Sequence, residues 1–471
     1  MATPPSFLVV SFPGQGHINP SLQFAKRLHR HGYTVIFLST AYAVHRITNS
    51  VPGIPLLSYS DGYDDTGFVF SGNYESYMIK SAERGSQALR EMILARSDKG
   101  EGFACIFYTT VVPWVGHVTR SLGVRSVLLW AQPSTVFDVY YYSFNGRKDE
   151  IMNVGHGQSK EVLLPGLPPL TSQDVPSYFT PGEKRTFGLK IMESHVDNIM
   201  QEENPVVAVN TFDELEPDPL RAIEGVKLVA VGPLLPSAFT DGGDPSDKSF
   251  GGDLFESSRA YVHWLNTKEH GTVIYAAFGS LSTLSMPQMR EVAKGLLGSG
   301  RPFLWVVRLE GKGGEGGGGE GSVSFMEDME LEGKGMIVPW CSQLEVLSHP
   351  SVGCFLTHCG WNSTLEGLTS GVPMVAFPQW SDQQTNTKLV VDVWKVGVRL
   401  QMKEPGTVDA DNIKDCLETI LGDGEKSEVI RRNAKKWKSL AREATQEGGS
   451  SDKNLWNLLQ ELITSTISKK G

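Results

Sequence analysis

The stretch Phe7-Leu-Val-Val-Ser-Phe12, the loop Pro13-Gly-Gln-Gly-His-Ile18 and, further on, Tyr33-Thr-Val-Ile-Phe-Leu38 decide the fold class. Two short, continuous apolar runs flank a segment in which Ile18, Leu22, Ala25 and Leu28 recur at helical spacing, and Gly32 ends that segment. Asn19 and Pro20 read as the N-cap and first residue of the helix. Strand, helix, strand in this order is a βαβ unit, and strands joined through a helix lie parallel. Further apolar runs at Cys105–Phe107, Val127–Trp130, Val206–Val209 and Leu228–Val231 are too continuous for half-exposed strands. They fit central strands covered on both faces.

From Pro236 to Asp253 the chain becomes rich in Gly, Pro, Ser and Asp, and no apolar period crosses it, so 236–253 reads as an interdomain linker. The α/β rhythm then restarts. Strands are expected at Thr272–Phe278, Phe303–Arg308, Met336–Pro339, Gly353–Thr357 and Met374–Phe377. Ser285-Met-Pro-Gln288 has the form of a capping box, with Met289, Val292 and Leu296 as the buried face of its helix. Helices are also expected from about Ser363, from about Asp382 to Trp394, and at Ser427–Glu443 and Ser451–Ser465. The expectation is an α/β protein of two doubly wound, Rossmann-like domains, 1–235 and 254–450, facing a cleft, with 451–471 as a terminal helix. In open parallel sheets ligands bind beyond the carboxyl ends of the strands, which puts the βα loops first among candidate sites.

Composition narrows the function. The 471 residues are 40% hydrophobic and 20% charged, ordinary for globular domains, and the net charge of −10 comes with no basic stripe of the kind that binds nucleic acid. No apolar run approaches the ~18 residues of a membrane span. The first residues, Met-Ala-Thr-Pro-Pro-Ser, lack the basic segment of a signal peptide. Five cysteines are too sparse for a disulfide scaffold, and a reducing, cytoplasmic setting follows as the expectation.

Three segments carry chemistry. Gly14-Gln-Gly16-His17 sits between strand and helix, as a dinucleotide fingerprint does. Position 19 is Asn rather than the third glycine, however, and the second strand ends in Leu-Ser-Thr where a ribose-binding acid belongs. His17 is either a group facing the ligand or a surface or helix-capping histidine. Phe278-Gly-Ser280-Leu-Ser282 is either a donor turn for an oxyanion or a plain βα turn. The third segment runs from Trp340-Cys-Ser-Gln343 through Thr357-His358-Cys-Gly-Trp361-Asn362-Ser363-Thr-Leu-Glu366 to Pro378-Gln-Trp-Ser-Asp382-Gln383. A helix start after His358 makes a phosphate seat, Trp340 offers a flat face to a base, Gln343 and Glu366 can bond ribose hydroxyls, and Asp382 and Gln383 can bond a sugar. Ser363-x-x-Glu366 is equally a capping box. His358 with Cys354 and Cys359 lacks the second ligand pair of a zinc site. Asp409-Ala-Asp411 spells a metal motif of other transferases but precedes a helical pattern, where N-capping is its expected role. Gly311–Gly321 is no P-loop, because no Gly-Lys-Ser/Thr follows it.

The segment from Trp340 to Gln383 resembles the plant secondary product glycosyltransferase box of family 1 UDP-glycosyltransferases. Phe12-Pro-Gly-Gln-Gly-His17-Ile-Asn-Pro resembles that family's N-terminal motif. Within the family the likeness is to the branch of anthocyanin 5-O-glucosyltransferases and carboxylate glucosyltransferases. The resemblance implies a GT-B fold, with the acceptor in the first domain, the UDP-sugar in the second and the final helix crossing back to the first. It implies His17 as general base, Trp340 on uracil with the backbone at Cys341 reading its edge, and Gln343 and Glu366 on ribose. His358, Asn362, Ser363 and Ser280 would hold the diphosphate, and Trp361, Asp382 and Gln383 the sugar. It further implies an inverting transfer of glucose from UDP-glucose, as co-substrate, to a hydroxyl or carboxyl of a small phenolic, flavonoid or carboxylic acid. No metal and no other cofactor are expected, and the enzyme is expected to act as a monomer. A nicotinamide oxidoreductase and a non-catalytic nucleotide-sugar-binding protein are the alternatives.

One departure from the family pattern bears on the acceptor. Members commonly carry an Asp after the strand matching Cys105-Ile-Phe, where it polarises the histidine; here Thr109 stands in that place. A hydroxyl can fix the imidazole's tautomer but cannot offset its positive charge, so acceptors that need little deprotonation are expected.

Overall fold

The computed structural model describes residues 5–47, 51–67, 74–182, 185–248, 260–280, 284–307, 335–403 and 407–468. The chain divides into two compact units, Met1–Leu254 with Glu443–Gly471, and Phe255–Arg442.

The first unit is built on β1 (Ser6–Val10), β2 (Thr34–Thr40), β3 (Leu56–Tyr59), β4 (Cys105–Thr109), β5 (Ser126–Trp130), a two-stranded ribbon of β6 (Glu161–Val162) and β7 (Leu170–Thr171), then β8 (Val206–Val209) and β9 (Lys227–Ala230). Seven of them form one parallel sheet in the order β3-β2-β1-β4-β5-β8-β9. The order reverses at β1, the signature of double winding. Alternation along each strand feeds two cores. Leu8, Val10, Ile106, Tyr108, Leu128 and Trp130 lie on one face, and Phe7, Val9, Cys105, Phe107, Val127 and Leu129 on the other. The helix Ser450–Ser468 sends Leu455, Leu458, Leu459 and Leu462 into that second core, and Ser451 Oγ donates to the Gly232 carbonyl at 2.6 Å.

The first helix, Gln15–Arg30, begins five residues before the position its Asn-Pro pair suggests. The amides of His17 and Ile18 both donate to the Gly14 carbonyl, at 2.9 and 3.0 Å. Pro20 is thus an interior residue that adds no N–H to the ladder, one turn further along than a helix-opening proline. The consequence is functional, because His17 falls in the helix's first turn instead of on a loop. Residues 236–248, linker-like in composition, are tied to the first unit: Asp247 Oδ1 meets Lys26 Nζ at 2.8 Å and Asp247 Oδ2 accepts from the Ser237 amide at 2.9 Å. The short polar side chains that suggested flexibility make turn-locking bonds instead. Residues 249–253 of that stretch, Ser282 and the Gly311–Gly321 tract lie outside the described residues.

The second unit holds β10 (Val273–Ala277), β11 (Phe303–Val306), β12 (Gly335–Val338), β13 (Val352–Thr357), β14 (Met374–Ala376) and β15 (Gly397–Arg399). They form a parallel sheet in the order β12-β11-β10-β13-β14-β15. Ser285 caps the helix Met286–Gly298 by accepting from the Gln288 amide, but the Gln288 side chain does not reach back to close a box. It bonds the Val408 amide and carbonyl, at 2.8 and 2.9 Å, pinning a loop 120 residues away. Asp409 caps the helix Ala410–Leu421 through its Oδ1 and the Asn412 amide, at 2.9 Å.

In the first unit Asp138 is fully buried, and among the described residues neither carboxyl oxygen has a hydrogen-bond partner. Burial, helped by the nearby Glu216 carboxylate, raises its pKa well above the ordinary carboxylate value. The native state therefore keeps a proton that the unfolded chain releases above about pH 4, and stability falls as pH rises through that window. Asp138→Asn removes the linkage. In urea melts at pH 5 and pH 8, the variant's stability relative to the parent is expected to be higher at pH 8. An equal difference at both pH values would show that the native carboxyl is ionised.

Candidate active site

Parallel register sets the level of every loop in the second unit. Thr357 at the end of β13 pairs with Ala277 of β10 and with Ala376 of β14, so Phe278–Ser280, His358–Gly360 and the loop after Phe377 leave the sheet side by side. Gly360 caps the helix Trp361–Ser370 and has no side chain to occupy its first-turn amides, which leaves an anion seat at that helix start. The His358 ring is wedged between two glycines. A Cβ on Gly279 would lie 2.4 Å from His358 Nε2, and one on Gly360 2.5 Å from it. Gly279 also has φ +81°, so the Phe-Gly-Ser turn makes room for His358 as much as it offers donors.

Ser363 is no cap. It sits inside the helix, and its Oγ accepts from Gln343 Nε2 at 2.8 Å. Gln343 Nε2 also donates to Glu366 Oε2, and Gln343 Oε1 accepts from the Tyr275 hydroxyl at 3.2 Å. That hydroxyl lies 3.4 Å from Cys341 Sγ. Gln343 is thereby committed at both ends, holding Glu366 in place rather than reaching outward. Trp361 is buried at the first position of its helix, and its indole packs on Trp394 with ring centroids 6.0 Å apart. Trp340 follows β12 and is partly exposed.

Asp382 and Gln383 follow β14. Gln383 Oε1 accepts from the Gln379 and Trp380 amides at 2.8 and 3.1 Å. Two N–H donors can meet only the carbonyl end of the amide, which fixes Nε2 as the end left to donate. Burial raises the Asp382 carboxyl to about 6, opposed by the bond from Asn386.

In the first unit the His17 imidazole packs edge-on to Phe12, centroids 5.4 Å apart. Among the described residues its Nδ1, although buried, has no hydrogen-bond partner. Thr109 is fully buried and does not supply one: its Oγ1 accepts from the Phe12 amide at 3.2 Å. Burial pushes His17 down to about 4, and no carboxylate among the described residues counters it. Sequence reading missed His195, a fully buried residue stacked on Tyr108 that accepts the Val111 N–H at Nε2, 3.0 Å. Burial, followed by the neighbouring His17 and His117, lowers it to about 3. It is neutral, with its proton on Nδ1. Nothing local marked it, since its partner is 84 residues away.

Two doubly wound units, one of them with an anion seat, a carboxylate held in place by Gln343 and an amide donor beyond the ends of its strands, fit a nucleotide-sugar-dependent transferase of the GT-B class. Comparison with known proteins agrees. The family profile described as "UDP-glucoronosyl and UDP-glucosyl transferase" matches residues 252–439. Crocetin glucosyltransferase, chloroplastic, of Gardenia jasminoides is 51% identical, the match covering 95% of each chain. Anthocyanidin 3-O-glucoside 5-O-glucosyltransferase 1 of Perilla frutescens is 47% identical over 97% of this chain and 98% of its own. The crystal structure of Os79 from O. sativa in complex with UDP superposes with a TM-score of 0.84 at 32% identity, covering 97% of this chain and 100% of that one. The chain belongs to the UDP-glycosyltransferase family. It is a plant-type glucosyltransferase that takes its sugar from a UDP-linked donor and places it on a small metabolite. Among the described residues no helix is long and apolar enough to cross a membrane.

Gly279→Ala is expected to displace His358 and raise KM for the UDP-sugar about ten-fold, the scale of one charge-assisted hydrogen bond. Gly300→Ala is the control for backbone strain, since Gly300 has φ +68° with nothing within 4 Å of its Cβ position, and should leave KM unchanged. An unaltered KM in Gly279→Ala would show that His358 does not bear on the donor.

Proposed function

We propose that this enzyme inverts configuration in a single displacement from UDP-glucose and prefers carboxylic acids and acidic phenols as acceptors. The acceptor oxygen attacks the anomeric carbon, the bond from that carbon to the β-phosphate oxygen breaks, and UDP departs. A phenol's proton passes to His17, while a carboxylate brings none. In this reading Trp340 stacks on uracil, with the backbone at Cys341 reading its edge. Glu366, held by Gln343, takes the ribose. Ser280, His358, Asn362, Ser363 and the helix start take the diphosphate and stabilise the leaving group without a metal ion. Asp382, the Gln383 Nε2 donor and the Trp361 backbone take the glucose.

The observation that carries the acceptor preference is the environment of His17. An imidazole desolvated to about 4, with no carboxylate among the described residues to stabilise its charged form, is a poor sink for a proton. An aliphatic alcohol depends on that sink. A carboxylic acid, with a pKa near 4, is already ionised at pH 7. The relatives' names fit: one acts on crocetin and another on the 5-O position of an anthocyanidin glucoside. A monomeric state and a cytoplasmic location complete the proposal, the latter supported by five cysteines that are all unbridged. Gel filtration and a fluorescent fusion test these two points; the Gardenia relative, named chloroplastic, marks the competing outcome for location.

The deciding experiment assays an aromatic acid, a flavonoid phenol and a terpene alcohol with the parent, His17→Ala and Thr109→Asp. The acid is expected to keep appreciable rate in His17→Ala while the phenol loses its own, and Thr109→Asp should favour the phenol and the alcohol. The acid's rate should be flat from pH 6 to 8, because His17 stays neutral throughout and titrates only near 4. A terpene alcohol as the parent's best acceptor would defeat the proposal.

For the donor, UDP-glucose should outrun UDP-galactose and UDP-glucuronate. Gln383→Ala should cost about 1–3 kcal/mol in the transition state, the scale of one or two hydrogen bonds. Activity should survive EDTA. Loss with the chelator and return with manganese would overturn the metal-free reading.

A further inference from the structure

Asn386 lies three residues beyond the motif that ends at Gln383 and is fully buried. Its Nδ2 donates to the Cys359 carbonyl at 2.9 Å and to Asp382 Oδ2 at 2.7 Å. Cys359 belongs to the loop after β13, between His358 and Gly360; Asp382 belongs to the loop after β14. Both loops turn through left-handed residues that are not glycine, Cys359 with φ 59° and Ser381 with φ 63°. Such conformations persist only where the surroundings hold them.

The other end of the amide sharpens the argument. Asn386 Oδ1 is buried and, among the described residues, accepts no hydrogen bond. A buried polar atom left unsatisfied weakens a fold, and an apolar residue of the same shape would avoid that cost. The residue is thus accounted for by its Nδ2 alone, whose two hydrogens go one to each loop.

We propose that Asn386 is a positioning residue of the donor site, tying the loop of the phosphate seat to the carboxylate that takes the glucose. The inference rests on the reading of Asp382 as a sugar ligand. It adds that Asp382 is aimed by a residue outside the motif and held in register with His358 and Gly360. Asn386 touches neither donor nor acceptor and acts through those two loops.

The test uses the full chain with Asn386→Leu, which matches the volume and removes the donor, and Asn386→Asp, which matches the shape and sets an acceptor against Asp382. Each is combined with Asp382→Ala. Calorimetry with UDP and steady-state kinetics with UDP-glucose are the readouts. The single Asn386 variants should lower kcat/KM for UDP-glucose about ten-fold or more while the Kd of UDP, which lacks the sugar, moves about three-fold at most. In the Asp382→Ala background the same substitutions should add less than about two-fold, because the group they aim is gone. Multiplying effects, or parallel losses of UDP and UDP-glucose binding, would mean a merely structural Asn386 and overturn the inference. Parent-like kinetics in Asp382→Ala alone would overturn the reading of Asp382 and the inference with it, a failure distinct from the first two. Should Asn386→Leu not fold, the Asn386→Asp arm decides alone.

Discussion

Parallel pairing with strands buried on both faces is the constraint on which the rest depends. Such a sheet cannot close by hairpins, so every strand must end in a loop that leads to a helix, and all these loops leave at one edge. In the second unit the Ala277–Thr357–Ala376 register aligns three of them to within a residue. In the first, Val10 pairs with Leu38 and Tyr108, which sets the turns before His17 and after Thr109 side by side. The polar groups then need no long side chains to converge. Backbone amides, glycine turns and short residues suffice, and the site is assembled by register before any specific contact forms.

The histidine shows how the bonding of one residue propagates through such an arrangement. A carboxylate beside a buried imidazole stabilises its protonated form. With Thr109 the hydroxyl serves the backbone instead, holding Phe12 through its amide, and Phe12 in turn packs on His17. The ring is positioned by packing, and among the described residues no carboxylate offsets its charge. Positioning and charge stabilisation, often supplied by one residue, are here separated, and only the first remains.

How much of this was legible follows from the range of the interactions. Within the Trp340–Gln383 segment β13 and β14 are neighbours in the sheet, so the loops of His358 and Asp382 are close in space as in sequence, whereas Trp340 and Gln343 follow β12, which β11 and β10 separate from β13, and the Gln343–Glu366 bond spans that gap. The βαβ pattern was legible because there, too, neighbours in the chain are neighbours in the sheet. The start of the first helix was misplaced because Asn-Pro is a strong local signal that the Gly14 carbonyl, with two amides already on it, overrides. The two short strands Leu56–Tyr59 and Gly397–Arg399 lack the apolar runs that marked the others. Tyr275 under Gln343, His195 under Val111 and Gln288 on Val408 are separated from their partners by 68, 84 and 120 residues, and no pattern in the chain announces them. The sequence offers the Thr109 hydroxyl to the imidazole, and the structure bonds it to the Phe12 amide instead, because a hydroxyl can serve either and only geometry chooses.

The distribution of backbone strain gives an independent argument for where function lies. Among the described residues four that are not glycine have positive φ: Val111, Cys359, Ser381 and Lys395. Three sit in loops at the carboxyl ends of β4, β13 and β14, each next to or within two residues of a candidate site residue. Val111, at φ 83°, is the most costly because its β-branched side chain suits that region least. At roughly 1–3 kcal/mol each, such turns would be replaced by glycine or relaxed if only stability mattered. Instead at least two are braced by long-range bonds from fully buried side chains, Val111 by His195 and Cys359 by Asn386. The bracing residues are themselves imperfectly satisfied, His195 at Nδ1 and Asn386 at Oδ1. Strain and incomplete hydrogen bonding thus coincide at the strand ends, and stability alone explains neither. What both accomplish is to hold short side chains in fixed directions, which is what a site built from register and small residues requires.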